Sequence, residues 1–305
     1  MTLRSRYLAA WAAAVLCLCW VTAATAAEAE GDVQPANQAG VPAHWKHNCG
    51  LLEVCNNPAA CPIMRETPPE QFTVRFKTNV GSFRMRVTTA WAPPFATRMW
   101  QLARLRYMDG ARFYRVVRDN FNPAVPHKPP FVIQFGYNGV PEIDNCWDNK
   151  MTSNDTAPVV PPGNLRGYVS FSMGAVETKT DQTPYCTYPI ASYCAIGFSQ
   201  NIFINLANNT RLDGPGFAIF GVVPAEDMSV VDRIYGGYGE VTELCPAGSN
   251  STYCNGYGDS NQGVSMDRLV NPTDGGNRYL ITRKPLLSYI RSMELLSCKG
   301  KSRRC

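Results

Sequence analysis

Phe72-Thr73-Val74-Arg75-Phe76-Lys77-Thr78-Asn79-Val80-Gly81-Ser82-Phe83-Arg84-Met85-Arg86-Val87 alternates apolar and polar residues on both sides of Asn79-Val80-Gly81. In an extended chain that alternation sends successive side chains to opposite faces. Each arm therefore reads as a half-buried strand, and the pair as an antiparallel hairpin. Downstream the spacing turns helical over 91–107, where Phe95, Met99, Leu102 and Leu105 recur every three or four positions. Pro93 and Pro94 suit a first turn, and Asp109-Gly110 ends the run. Short strands follow at Phe113–Val117, Val132–Phe135, Tyr168–Met173, Ile202–Asn205 and Ala218–Val223, with turn-rich polar segments between them. A second helix reads over Met228–Ile234, and the stretch from Tyr279 to Ile290 reads as a short helix and then a closing strand. Many short strands, few helices and no internal repeat predict a mainly β chain folded as a closed antiparallel barrel.

The composition allows a sizeable core. Of 305 residues, 45% are apolar and 17% charged, which excludes global disorder. A net charge of +5 with no dense basic stripe gives no basis for nucleic-acid binding. Lys299, Lys301, Arg303 and Arg304 read as a solvated basic tail over 297–305.

Residues 1–26 have the pattern of a secretory signal peptide. Arg4 and Arg6 precede an uncharged apolar run from Tyr7 to Val21, and Ala24-Thr25-Ala26 supplies the small-residue cleavage site. No other segment is long and apolar enough to span a bilayer, so the expectation is a secreted or secretory-lumen protein with no membrane attachment after cleavage. Outside the signal, ten cysteines remain: Cys49, Cys55, Cys61, Cys146, Cys186, Cys194, Cys245, Cys254, Cys298 and Cys305. An even number in an exported chain suggests disulfides, whereas zinc lacks any Cys-x-x-Cys pair. Cys186–Cys194 and Cys245–Cys254 each close a short polar loop and read as local staples. The other pairings stay open. Asn154, Asn208 and Asn250 head possible glycosylation sequons. Residues 27–70 read as an exposed leader with a cysteine-pinned extension packed on the main domain.

Five fragments carry further information: Arg112-Phe113-Tyr114-Arg115-Val116-Val117, Phe131-Val132-Ile133-Gln134-Phe135-Gly136, Gly167-Tyr168-Val169-Ser170-Phe171-Ser172, Ile202-Phe203-Ile204-Asn205 and Leu212-Asp213-Gly214. In this order they resemble the cyclophilins, the peptidyl-prolyl cis–trans isomerases. The resemblance covers about residues 72–296, and it implies an eight-stranded barrel capped by two helices over 71–296, with insertions at 118–130, 176–197 and 245–275. It also implies Arg115 as the catalytic group. Phe131, Gln134, Phe203, Leu212 and Phe217 would contact the substrate, Phe217 lying where many relatives have histidine. Ser172 would hold the substrate through its backbone, and Asn201, with Gln200 beside it, stands where the family has a glutamine. Proline-containing peptides or unfolded proteins would be the partners, with no cofactor.

The residue types fit that chemistry. Rotation about X–Pro crosses a barrier of roughly 18–20 kcal/mol because the amide is conjugated. Lowering it takes an apolar grip on the ring and a donor that bonds best to the twisted imide nitrogen. Arginine is permanently charged, rigidly forked and incapable of general-base work. Taken singly, Phe131, Phe203, Leu212 and Phe217 would be core residues and Arg115 a surface arginine. A hydrolase is excluded because His44, His47 and His127 lie in the leader or an insertion, and a Ser or Cys nucleophile needs a fixed base. The rate is expected to be nearly flat from about pH 6 to 8, since no invoked group titrates there.

Three departures from the family pattern stand out. The proline-rich insertion 118–130 is expected to narrow or cover the cleft. Asn201 replaces the longer glutamine. Arg211 stands where the family often has a tryptophan that aids cyclosporin binding, so weak or no cyclosporin affinity is expected. The disulfide-pinned insertion 176–197 is expected to lie at the cleft entrance. The competing reading is a catalytically weak proline-peptide binding module of the same fold.

Overall fold

In a computed structural model of the chain, residues 49–118, 130–187, 191–245 and 263–299 are described. The hairpin forms as its alternation dictates, with strands β1 (Gln71–Thr78) and β2 (Gly81–Thr88). Phe72, Val74 and Phe76 of β1 and Phe83, Met85 and Val87 of β2 all turn into the core. Helix α1 (Leu51–Asn56) precedes the hairpin, and α2 (Pro93–Arg104) follows it. Then come β3 (Arg115–Val116), β4 (Val132–Phe135), α3 (Pro141–Lys150), β5 (Tyr168–Phe171), β6 (Gly174–Val176), β7 (Cys194–Ile196), β8 (Ile202–Asn205) and β9 (Ile219–Val222). The chain continues through α4 (Met228–Val231), α5 (Met266–Leu269), α6 (Gly276–Arg283) and β10 (Ile290–Lys299).

Eight strands form one antiparallel sheet in the order β10-β1-β2-β9-β5-β8-β4-β3, and β6 pairs with β7 apart from it. The expected closure is not reached, because the sheet is a curled half-barrel with β10 and β3 as its edges. β3 is too short to run along a ten-residue partner, and its outer side is already taken: the Val116 N–H donates to Gly239 O at 3.1 Å. Among the described residues the two edges meet where the chain leading into β3 touches the start of β10, through the isolated bridge Arg112–Tyr289 and the bonds of Gly110 and Ala111 to Ile290. The expectation of two capping helices also falls short, since α3 and α6 add to α2 and the four-residue α4. β10 runs to Lys299, past the expected domain end at 296.

The interior is filled by aromatic rings. Phe76 stacks on Phe83 with centroids 5.0 Å apart, Phe113 meets Phe135 at 4.8 Å, and Phe95 of α2 meets Phe198 at 4.6 Å. Burial of this kind supplies about 1.5–3 kcal/mol per large apolar side chain before conformational entropy is subtracted.

Three disulfides join described residues: Cys49–Cys61, Cys55–Cys146 and Cys186–Cys194. The first two pin the N-terminal extension, within itself and onto α3. Cys245 and Cys298 are also disulfide-bonded. Cys254 and Asn250 lie outside the described residues, as does most of 118–130, while Asn154 and Asn208 are exposed. Among the described residues no helix is long and apolar enough to cross a membrane.

Candidate active site

Strand alternation sorts β4 and β8 into two faces. Ile133 and Phe135, with Ile202 and Ile204, enter the main core. Val132 and Phe203 turn outward into a separate apolar cluster with Ala195, Leu212 and Phe217, against which Phe131, Met173 and Tyr193 pack. Register then places three of the expected residues in one cross-strand row: Arg115 pairs with Gln134, and Gln134 with Phe203. Neighbours in such a row lie close enough for their side chains to interact. Leu212 reaches the cluster from a single 3₁₀ turn, and the Phe217 N–H bonds back to Leu212 O at 3.2 Å.

The guanidinium of Arg115 is held on three sides. Nε donates to Glu240 Oε1 at 2.5 Å, Nη2 to Glu240 Oε2 at 2.8 Å and Nη1 to Gln134 Oε1 at 2.9 Å. Gln134 passes the chain on, its Nε2 donating to Ser172 Oγ at 2.9 Å. Of the five N–H donors of a guanidinium, these bonds use three and leave two without a partner among the described residues. The group lies 5.7 Å from the centre of the Phe131 ring, beside the apolar cluster. Arg115 is therefore a fixed cation at the edge of an apolar patch, its charge balanced by one carboxylate.

Glu240 had no mark in the sequence. It arrives because Gly239 O accepts the Val116 N–H, one residue from Arg115, while Val241 is buried in a satellite core with Tyr114, Tyr137, Val264 and Leu280. Glu240 Oε1 also accepts the Val241 N–H at 2.9 Å, so the carboxylate is locked before it meets the arginine.

Two expected contacts differ. Gln200 does not reach the row: its side chain is fully buried and donates to Asp148 Oδ1 at 2.8 Å. Asp148 sits on α3, the helix that was not foreseen, and burial raises its carboxyl above the ordinary range. Gly136, with φ +142°, permits the close pass that sets this geometry, because a Cβ there would stand 2.4 Å from Gln200 O. Asn201 does lie near the row, its Oδ1 accepting from Tyr114 Oη at 3.3 Å. The backbone N–H of Ser172 is spent on Asn201 O at 2.8 Å, so it is not open to a ligand.

The apolar patch is covered. Phe203, Leu212 and Phe217 are only 5%, 4% and 7% exposed. The cover is the disulfide-closed hairpin β6–β7, tied to the 212–217 rim by Ala195 N–H to Pro215 O and Thr187 N–H to Gly214 O, both 2.9 Å. Tyr193 sets its ring edge-on to Phe217 at 6.2 Å. Burial raises the Tyr193 phenol above its ordinary value, against the opposing pull of the nearby Arg211 and Arg115 cations. Arg211 itself lies over the other contact of the row, 4.2 Å from the Phe131 ring centre.

No family model matches the chain, and no curated protein matches it. Among solved structures it is similar to a cyclophilin-type peptidyl-prolyl cis-trans isomerase of Cryptosporidium parvum, at 14% identity and a TM-score of 0.41 over 75% of this chain and 99% of that one. A structure of the same C. parvum protein in the presence of the dipeptide Ala-Pro gives 14% identity and a TM-score of 0.40 over 74% and 99%.

Proposed function

We propose that the chain is a peptidyl-prolyl cis–trans isomerase acting on X–Pro bonds of secreted or unfolded polypeptides in the secretory lumen or outside the cell. The observation that carries this reading is the row Arg115–Gln134–Phe203, which sets a clamped guanidinium at the edge of an apolar cluster. In the proposed reaction the Tyr193 side of the β6–β7 cover gives way and the proline ring takes its place on Phe203, Leu212 and Phe217. As the imide twists, its nitrogen loses conjugation and becomes a better acceptor, and an unspent N–H of Arg115 bonds to it. Gln134 and Glu240 fix the fork in advance, so no reorganisation is needed at the barrier. No bond is broken and no proton is transferred, which fits a site whose groups need not titrate. The disulfides of the described residues fit an oxidising compartment.

The test is a coupled proline-isomerisation assay on the oxidised protein without residues 1–26, wild type beside Arg115→Ala. The expected result is acceleration by the wild type and a loss of about 10²–10³-fold in the variant, as for removal of a single preorganised donor.

A proline-peptide binding module is the second reading. One observation favours it: Glu240 cancels the charge of Arg115. It predicts peptide binding with no acceleration, and Arg115→Ala would then alter affinity alone.

A further inference from the structure

Among the described residues, Arg211 has no acid to balance it on this face. The charge of Arg115 is balanced by Glu240. Asp213, the nearest acid along the chain, accepts from the backbone and side-chain nitrogens of Asn164 at 3.0 and 2.7 Å. Among the described residues, no carboxylate pairs with Arg211. Its guanidinium lies 4.2 Å from the centre of the Phe131 ring, and the residue is exposed. A guanidinium resting on a ring is held by its flat face while its N–H edges stay free for a planar, bidentate acceptor. Part of the entropy of ordering a long side chain has then been lost before any ligand arrives. The same ring has Arg115 at 5.7 Å, so a peptide reaching the Arg115 row from the Phe131 side passes Arg211.

We propose that Arg211 is a specificity residue that reads a carboxylate side chain next to the proline of the bound peptide. This rests on the reading of the Arg115 row as a proline-peptide site. Substrates with Asp or Glu flanking X–Pro are favoured over neutral ones, and those with Lys are disfavoured.

The experiment is a peptide series that differs only in Glu, Gln or Lys beside the X–Pro unit. Binding and kcat/KM are measured with wild type, Arg211→Gln and Arg211→Lys, each also combined with Tyr193→Ala so that the cover does not mask the site. Wild type should prefer Glu to Gln by about 1.5- to fivefold, the range of an exposed ion pair. Raising the salt should shrink that ratio. Arg211→Gln should abolish the ratio, and Arg211→Lys should restore part of it. Equal handling of Glu and Gln peptides by the wild type, or a ratio that survives Arg211→Gln, overturns the proposal while leaving the site reading intact. If no peptide of any charge is bound or accelerated in either background, the site reading falls and this inference with it.

Discussion

Glu240 accepts both Nε and Nη2 of Arg115, at 2.5 and 2.8 Å, with the two side chains only 16% and 7% exposed. A bidentate pair so shielded fixes direction as well as charge. Removing the acid would strand a cation, which costs about 3–5 kcal/mol when burial is complete. The partial exposure of Arg115 lowers the expectation for Glu240→Ala to about 1–3 kcal/mol of stability, read by urea denaturation. Glu240→Gln keeps one acceptor but loses the charged, bidentate clamp, so isomerisation should fall several-fold and stability with it. An unchanged or higher rate would show that the clamp restrains Arg115 and does not orient it.

Tyr193 stands on the apolar wall that a proline ring would use. Displacing a half-buried ring contact costs about 0.5–1.5 kcal/mol, so Tyr193→Ala should raise kcat/KM on short X–Pro peptides by about two- to tenfold. Cutting the hairpin's tie with Cys186→Ser and Cys194→Ser should act in the same direction by loosening the cover. Peptide affinities that do not move in either variant would locate the obstruction elsewhere.

Two buried acids make stability pH-dependent away from the site. Burial pushes Asp144 up to about 7 and Asp109 up to about 6. Between about pH 4 and 7 the folded chain therefore holds more protons than the unfolded one. The stability these groups contribute is greatest below pH 4 and is lost as pH rises through their folded values. Thermal midpoints should fall over that window on the way to neutrality. The isomerisation rate should stay flat from about pH 6 to 8, because Asp144 bonds Asn138, Gly139 and Tyr107, none of them in the Arg115 row. Asp144→Asn should flatten the stability slope while lowering stability throughout, since its amide would confront the Gly139 N–H.

Opening Cys55–Cys146 releases a loop with a sequence separation of 91. The chain-entropy estimate for such a closure is about 4–5 kcal/mol. The double serine variant should melt well below the wild type, whereas losing Cys186–Cys194, with a separation of 8, should cost less. Calorimetry on the two variants ranks them.

What the sequence disclosed follows from how local each signal is. The 72–87 hairpin was legible because period-two alternation is written in adjacent residues. Phe203 was named only through the resemblance; its outward turn comes from the register of β8 in the sheet. Helix α3 was missed because only Ile143, Asp144 and Trp147 are buried on it, and an acid among them blurs the apolar stripe. The bond of Gln200 to Asp148 is hidden for the same reason, since Asp148 is on that helix. Glu240 sits in Gly236-Gly237-Tyr238-Gly239-Glu240, which reads only as a turn, and meets Arg115 across 125 positions. Its contact depends on a backbone bond from Val116 that no periodicity records. The edge positions of β3 and β10 were equally hidden, since strand length, not composition, decides whether a sheet can close.

Cys55 and Cys146 stand on opposite sides of the hairpin, of α2 and of Arg115. A protease that cut anywhere between them would not set a fragment free. The nicked molecule would travel as a single species through any non-reducing separation, and it would part only when a thiol reagent was added.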